Sequence, residues 1–122
     1  MIELGPQVIP HVRSGRLRVL ATTSSTRTES MPDVPTLAES GVHGYDAFTW
    51  FALYAPAGVS NEIVTRINSA LRATFDTPDV RARLASLGAE VAVTSPADLA
   101  AFQGAEARKW DAVIKRAGIV PE

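Results

Sequence analysis

The sequence contains no cysteine and almost no net charge, and both absences exclude functions. Without cysteine among its 122 residues, the chain has neither disulfides nor thiolate chemistry. Twelve basic and thirteen acidic residues leave a formal charge of −1. There is therefore no electrostatic case for binding nucleic acid or an anionic membrane. No apolar run approaches the roughly 18 residues of a spanning helix.

Motifs for catalysis and metal binding are missing as well. The two histidines, His11 and His43, are far apart and lack ligand spacing, so we expect no metal site. There is no glycine-flanked nucleophilic serine, phosphate-binding glycine loop or zinc-protease helix motif. We therefore expect neither an enzyme nor a cofactor. Residues 1–6 lack the basic start and apolar core of a signal peptide, so we expect no export signal in the chain as written.

The most informative segment is an apolar run that leads into a helix. Residues 49–58 contain the adjacent large aromatics Trp50 and Phe51 and close with Pro56 and Gly58. Such a run is typical of a strand buried on both faces, and we predict a buried strand over 50–55. An amphipathic helix follows behind Ser60, with Ile63, Ile67 and Leu71 on one face.

The remaining elements alternate in type along the chain. We predict helices at 8–15, 36–40, 61–75, 78–87 and 96–117, and strands at 17–23, 48–55 and 90–94. This order favours an α/β fold with a mixed or mostly parallel sheet flanked by helices. Three strands make a thin sheet, so we expect the chain to be incomplete or to complete its sheet with another chain.

Several motifs resemble one protein family. They are RSGRLRVLATTS at 13–24, PDVPTLAESG at 32–41, WF at 50–51 with APAG at 55–58, PDVRARL at 78–84, and KW at 109–110 with KRAGI at 115–119. Together they resemble the tripartite tricarboxylate transporter receptors, also called Bug receptors. Arg16 and Ala52 replace the lysine and glycine that are usual there.

The resemblance implies part of a two-lobed periplasmic binding protein of type II, specifically its C-terminal portion. Residues 1–46 would end the second lobe, and 47–122 would supply the crossover strand and the C-terminal part of the first lobe. Such a receptor binds a small carboxylate or amino acid in the periplasm and delivers it to membrane transporter subunits. The alternative is a truncated remnant that binds nothing and folds by self-association. In either case we expect the isolated chain to be a homo-oligomer.

Six candidate ligand contacts have hydroxyl, aromatic or acidic side chains near predicted strand ends or the lobe junction. They are Thr22, Thr23, Ser24, Asp46, Thr49 and Trp50. Ligands of open α/β sheets tend to bind at such strand ends. Each residue has a structural alternative: a loop cap for 22–24, a solvated turn acid for Asp46, a backbone contact for Thr49 and core packing for Trp50. Basic residues near the C-terminus, including Lys109, suit the dipole of the last helix.

Overall fold

The computed structural model describes residues 1–120, and within them four segments are α-helical. These are α1 (Gly5–Arg13), α2 (Asn61–Phe75), α3 (Pro78–Ser86) and α4 (Pro96–Ala117). The four longer predicted helices are thereby confirmed, although α1 begins and ends earlier than predicted. The predicted helix at 36–40 is only a turn, in which the Ser40 N–H donates to the Thr36 carbonyl at 3.0 Å.

Local hydrogen bonds explain where the helices begin and end. The Ser60 hydroxyl accepts from the Ile63 N–H at the start of α2, and the Ser95 hydroxyl accepts from the Asp98 N–H at the start of α4. Gly118 ends α4 in the left-handed region, with φ of 66°. Each of these capping contacts joins residues no more than four positions apart in the sequence. The sequence alone therefore predicts these helix ends well.

The predicted sheet does not form among residues 1–120. One isolated parallel bridge joins Thr22 to Thr36. The strands predicted at 48–55 and 90–94, and residues 18–21 of the strand predicted at 17–23, make no main-chain to main-chain hydrogen bond within the described residues. A strand needs a neighbouring strand to pair its N–H and C=O groups, and none of the three segments pairs with another in this chain.

The interior of the chain is correspondingly open. Ile9, 3% exposed, is the single buried apolar residue among residues 1–120. A closed monomer of this mass would expose about 6,300 Å², whereas this chain exposes 9529 Å². The prediction of a buried strand over 50–55 is wrong for the chain alone, because Phe51 is 92% and Leu53 62% exposed. The apolar pattern is present, but within the described residues little packs on it.

Residues 48–50 pack against α4. The Phe48 ring stacks on Phe102 of α4 with centroids 6.2 Å apart. The Trp50 ring meets Phe102 edge to face at 5.3 Å. The aromatic pairs hold residues 48–50 on α4, and hydrogen bonds join Asp46 and Ala47 to residues 23–25, where the candidate site lies.

Candidate ligand-binding site

Thr22 is anchored on both sides by main-chain hydrogen bonds. Its N–H donates to the Pro35 carbonyl, and its own carbonyl accepts from the Leu37 N–H, each at 2.8 Å. These bonds form the parallel bridge to Thr36. The loop that begins at Thr23 therefore projects from a fixed point.

The next residues present main-chain donors. The N–H groups of Thr23 and Ser24 make no hydrogen bond within residues 1–120. The adjacent Ser25 N–H donates to Oδ1 of Asp46 at 2.9 Å. Three successive N–H groups thus lie in one loop, and the third already binds a carboxylate. The Ser24 hydroxyl is directed elsewhere, since it donates to the Thr26 carbonyl at 2.7 Å.

The Thr22 hydroxyl differs from its neighbours. Thr22 is buried, at 8% exposure, and its Oγ1 has no hydrogen-bond partner within the described residues. An unpaired buried hydroxyl costs about 1–3 kcal/mol.

Asp46 joins this loop to α4. Besides the bond from Ser25 to its carboxylate, the following Ala47 N–H donates to the Thr23 carbonyl at 2.9 Å. The Asp46 carbonyl accepts from Nζ of Lys109 at 3.2 Å. The structure therefore places Asp46 beside residues 23–25. Its carboxylate accepts a hydrogen bond from within the chain, that of the Ser25 N–H.

Lys109 is held in place by its own helix. It pairs with Oε1 of Glu106, and Nζ lies 5.5 Å from the Trp110 ring centroid and 6.0 Å from that of Phe48. The other oxygen, Oε2 of Glu106, accepts from the Trp110 indole N–H at 3.0 Å. The Lys109 hydrogen bond lowers the pKa of Glu106, against the opposing effect of burial, and the Trp110 hydrogen bond lowers it further.

A second carboxylate, that of Glu39, contacts Thr36, the residue that forms the bridge with Thr22. Glu39 and buried Thr36 form a reciprocal capping box: the Thr36 N–H donates to Oε2 of Glu39 at 2.7 Å, and the Glu39 N–H donates to the Thr36 hydroxyl at 3.0 Å. Arg27 Nε donates to both oxygens of this carboxylate. The Thr36 hydrogen bond, followed by that of Arg27, lowers the pKa of Glu39. The spacing of Thr36 and Glu39 in the sequence is that of a capping box, whereas nothing in the sequence indicates the Arg27 contact.

Two predicted site residues lie apart from these donors. Trp50 packs against Phe102, which is the structural alternative given for it above. Thr49 is exposed, and its hydroxyl makes no hydrogen bond within residues 1–120. The structure thus joins the loop after Thr22 to Asp46 and Ala47, and within residues 1–120 neither Thr49 nor Trp50 makes a hydrogen bond to that loop.

A family model for tripartite tricarboxylate transporter family receptors matches residues 1–119. The chain belongs to this receptor family. Protein BugT of Bordetella pertussis is 35% identical over 117 residues, which cover 96% of this chain and 36% of that protein. The chain therefore spans about a third of the length of this curated relative.

Solved receptors share the fold of the described residues. The periplasmic binding protein BugD matches with a TM-score of 0.80 at 30% identity, over 94% of this chain and 39% of that one. MatC from Rhodopseudomonas palustris, solved with bound malate, matches with a TM-score of 0.75 at 34% identity, over 89% and 38%. The fold is that of part of a periplasmic binding protein, and the mixed sheet predicted for it does not appear among residues 1–120.

No predicted site residue lines either of two shallow cavities in this Bug-type chain. One, of about 120 Å³, is lined by Glu29, Arg81, Ala85, Ala89, Glu90 and Val91. The other, of about 100 Å³, lies between residues 53–55, α2 and the start of α4. The loop donors at 23–25 thus lie outside both cavities. Within residues 1–120, no cluster of three His, Asp or Glu side chains is arranged to hold a metal, and no helix is long and apolar enough to cross a membrane.

Proposed function

We propose that this chain is part of an extracytoplasmic solute-binding receptor that takes a small carboxylate and serves a tripartite tricarboxylate-type transporter. The observation that carries the proposal is the loop at 23–25. Thr23 and Ser24 offer N–H groups that are unpaired within residues 1–120, next to a Ser25 N–H that binds the Asp46 carboxylate. A ligand carboxylate needs such donors for its lone pairs.

The comparisons support the ligand class and the location. MatC was solved with malate, and BugD is a periplasmic binding protein. By analogy, the ligand is a small dicarboxylate or amino acid, and the site of action is the periplasm. The partners would be the membrane subunits of the transporter. We infer a binding role without catalysis, which requires only convergent donors in a cleft.

The lobe assignment is part of the same proposal. Residues 1–46 would end one lobe, and 47–122 would cross over and contribute to the other. The contacts around Asp46 support a junction there, because they join the loop at 23–25 to the segment packed on α4. Thr22, Thr49 and Trp50 would contact the ligand only in a receptor whose other parts close a cleft over them.

A second candidate function is favoured by the open interior. The chain exposes 9529 Å² and has an unpaired apolar segment at 48–55. These features suit a remnant that binds no ligand and folds by forming a homo-oligomer. The two candidates differ in whether the loop donors bind a carboxylate.

Substitution of Ser24 distinguishes them. Ser24→Pro removes one N–H donor, whereas the matched control Ser24→Ala keeps that donor and loses only the hydroxyl. We expect calorimetry with malate to detect weak binding, near millimolar and worth about 4 kcal/mol, in the parent chain and Ser24→Ala. Ser24→Pro should abolish it. Equal malate binding by the parent chain and Ser24→Pro, or no binding by any of the three, would refute the loop as the site.

A further inference from the structure

We propose that Lys109 and Asp46 are positioning residues that hold the carboxylate-binding loop at 23–25 against α4. This inference concerns how the loop is held, and only its consequence for affinity rests on the proposed function. It replaces the two roles that the sequence indicates, namely a ligand contact for Asp46 and a helix-dipole contact for Lys109.

Lys109 contacts Asp46, a residue far away in the sequence. Lys109 Nζ donates to the main-chain carbonyl of Asp46 at 3.2 Å, over a separation of 63 residues. A hydrogen bond from a charged donor is stronger than one between neutral groups. Lys109 is also partly buried, with 34% of its side chain exposed, so water screens this bond less than it screens a surface pair.

The Lys109 side chain is directed by neighbours in α4 and by Phe48. Glu106 pairs with its ammonium group, and the Trp110 indole N–H holds the other carboxylate oxygen. The rings of Phe48 and Trp110 flank the same ammonium group. Because these neighbours restrict the side chain before it reaches Asp46, little rotamer entropy remains to be lost in the contact.

Asp46 in turn contacts the loop. Its carboxylate accepts the Ser25 N–H at 2.9 Å, and the next residue, Ala47, donates to the Thr23 carbonyl at 2.9 Å. One residue therefore contacts α4 through its carbonyl and the loop through its carboxylate. Together the three bonds set where the free N–H groups of Thr23 and Ser24 point.

Amide hydrogen exchange without ligand tests this arrangement directly. In Lys109→Met we expect the Ser25 and Ala47 amides to exchange about 3- to 10-fold faster, the equivalent of losing one hydrogen bond. Lys109→Arg keeps the charge and a donor, so it should restore most of the protection. The matched control is Lys115→Met, which removes an exposed i,i+4 pair with Asp111 in the same helix and should leave both amides unchanged.

Asp46→Ala supplies a second variant, which removes the acceptor of the Ser25 N–H but leaves the main-chain carbonyl at position 46 for Lys109. It should speed exchange at Ser25, and combining it with Lys109→Met should give less than the product of the two single effects, because both act through one set of contacts. Unchanged Ser25 protection in Asp46→Ala, or multiplicative effects in the double variant, would overturn the proposal. So would a general loss of protection throughout α4 in Lys109→Met that Lys109→Arg fails to reverse.

Malate then distinguishes this inference from the proposed function. If the loop is the site, Lys109→Met weakens malate binding by a similar factor, and Lys115→Met does not. Altered exchange at Ser25 in a chain that never binds malate would leave the positioning role intact and refute the ligand assignment alone.

Discussion

Gly88 lies directly against Ile9, the buried apolar residue of α1. A methyl group added at Gly88 would overlap the Cδ1 atom of Ile9, and the residue has φ of +72°. Only glycine adopts that backbone region readily. The contact therefore joins the end of α3 to α1 through a position where a side chain would meet both backbone strain and the end of the Ile9 side chain.

A pair of glycine substitutions tests this contact. Gly88→Ala should lower the free energy of unfolding by about 1–3 kcal/mol, because it adds both backbone strain and overpacking. Gly104→Ala is the matched control: Gly104 lies inside α4, and a methyl group there makes only ordinary contact with Arg108. It should raise stability by about 0.5–1 kcal/mol. Chemical denaturation measures both, and a neutral Gly88→Ala would contradict the packing described.

The unpaired segment at 48–55 predicts self-association. Its main-chain groups have no main-chain partner within residues 1–120, and Phe51 is almost fully exposed. Such an edge pairs readily with another chain. We expect light scattering to give at least a dimer mass, not 13.0 kDa. Phe51→Asp should shift the chain toward monomer, whereas Val113→Asp on exposed α4 should not. A constant monomer mass for the parent chain at all concentrations would refute the prediction.

The two shifted carboxyl groups predict acid sensitivity. The pKa values of Glu39 and Glu106 are lowered in the folded chain from 4.5, the usual value. The stability they contribute is then complete above that value and is lost as the pH falls through the folded-state pKa values. The melting temperature should therefore be flat near neutral pH and fall below about pH 4.5. Glu106→Gln should show a shallower fall, and parallel curves for the two proteins would argue against the shift.

Much of the helical structure follows from the sequence, because its signals are local. Ser60, Ser95 and Gly118 each make their capping contact within four residues. Strand pairing depends on residues far along the chain or on another chain, so the apolar pattern at 50–55 predicts a strand without revealing whether anything covers it. Within residues 1–120 nothing pairs with it, and the expected burial is wrong.

The candidate site is predictable only in part for the same reason. The predicted strand end indicates Thr22–Ser24 and the predicted lobe junction indicates Asp46; the structure joins Asp46 and Ala47 to residues 23–25, and ligand binding there stays a prediction. No pattern in the sequence indicates that Ser25 occupies the Asp46 carboxylate or that Lys109 reaches its carbonyl from 63 residues away. The spacing of Glu106, Lys109 and Trp110 does suggest their mutual contacts along α4.

In the proposed function, the loop N–H groups of Thr23 and Ser24 bind a carboxylate within an incomplete cleft. The most direct measurement is a malate titration followed by the amide NMR resonances of these two residues. We predict progressive shifts at Thr23 and Ser24 that approach saturation only at millimolar malate, with the Gly104 amide in α4 unmoved. Resonances of Thr23 and Ser24 that stay unchanged at millimolar malate would contradict the site, and saturation at micromolar malate would contradict the incomplete cleft.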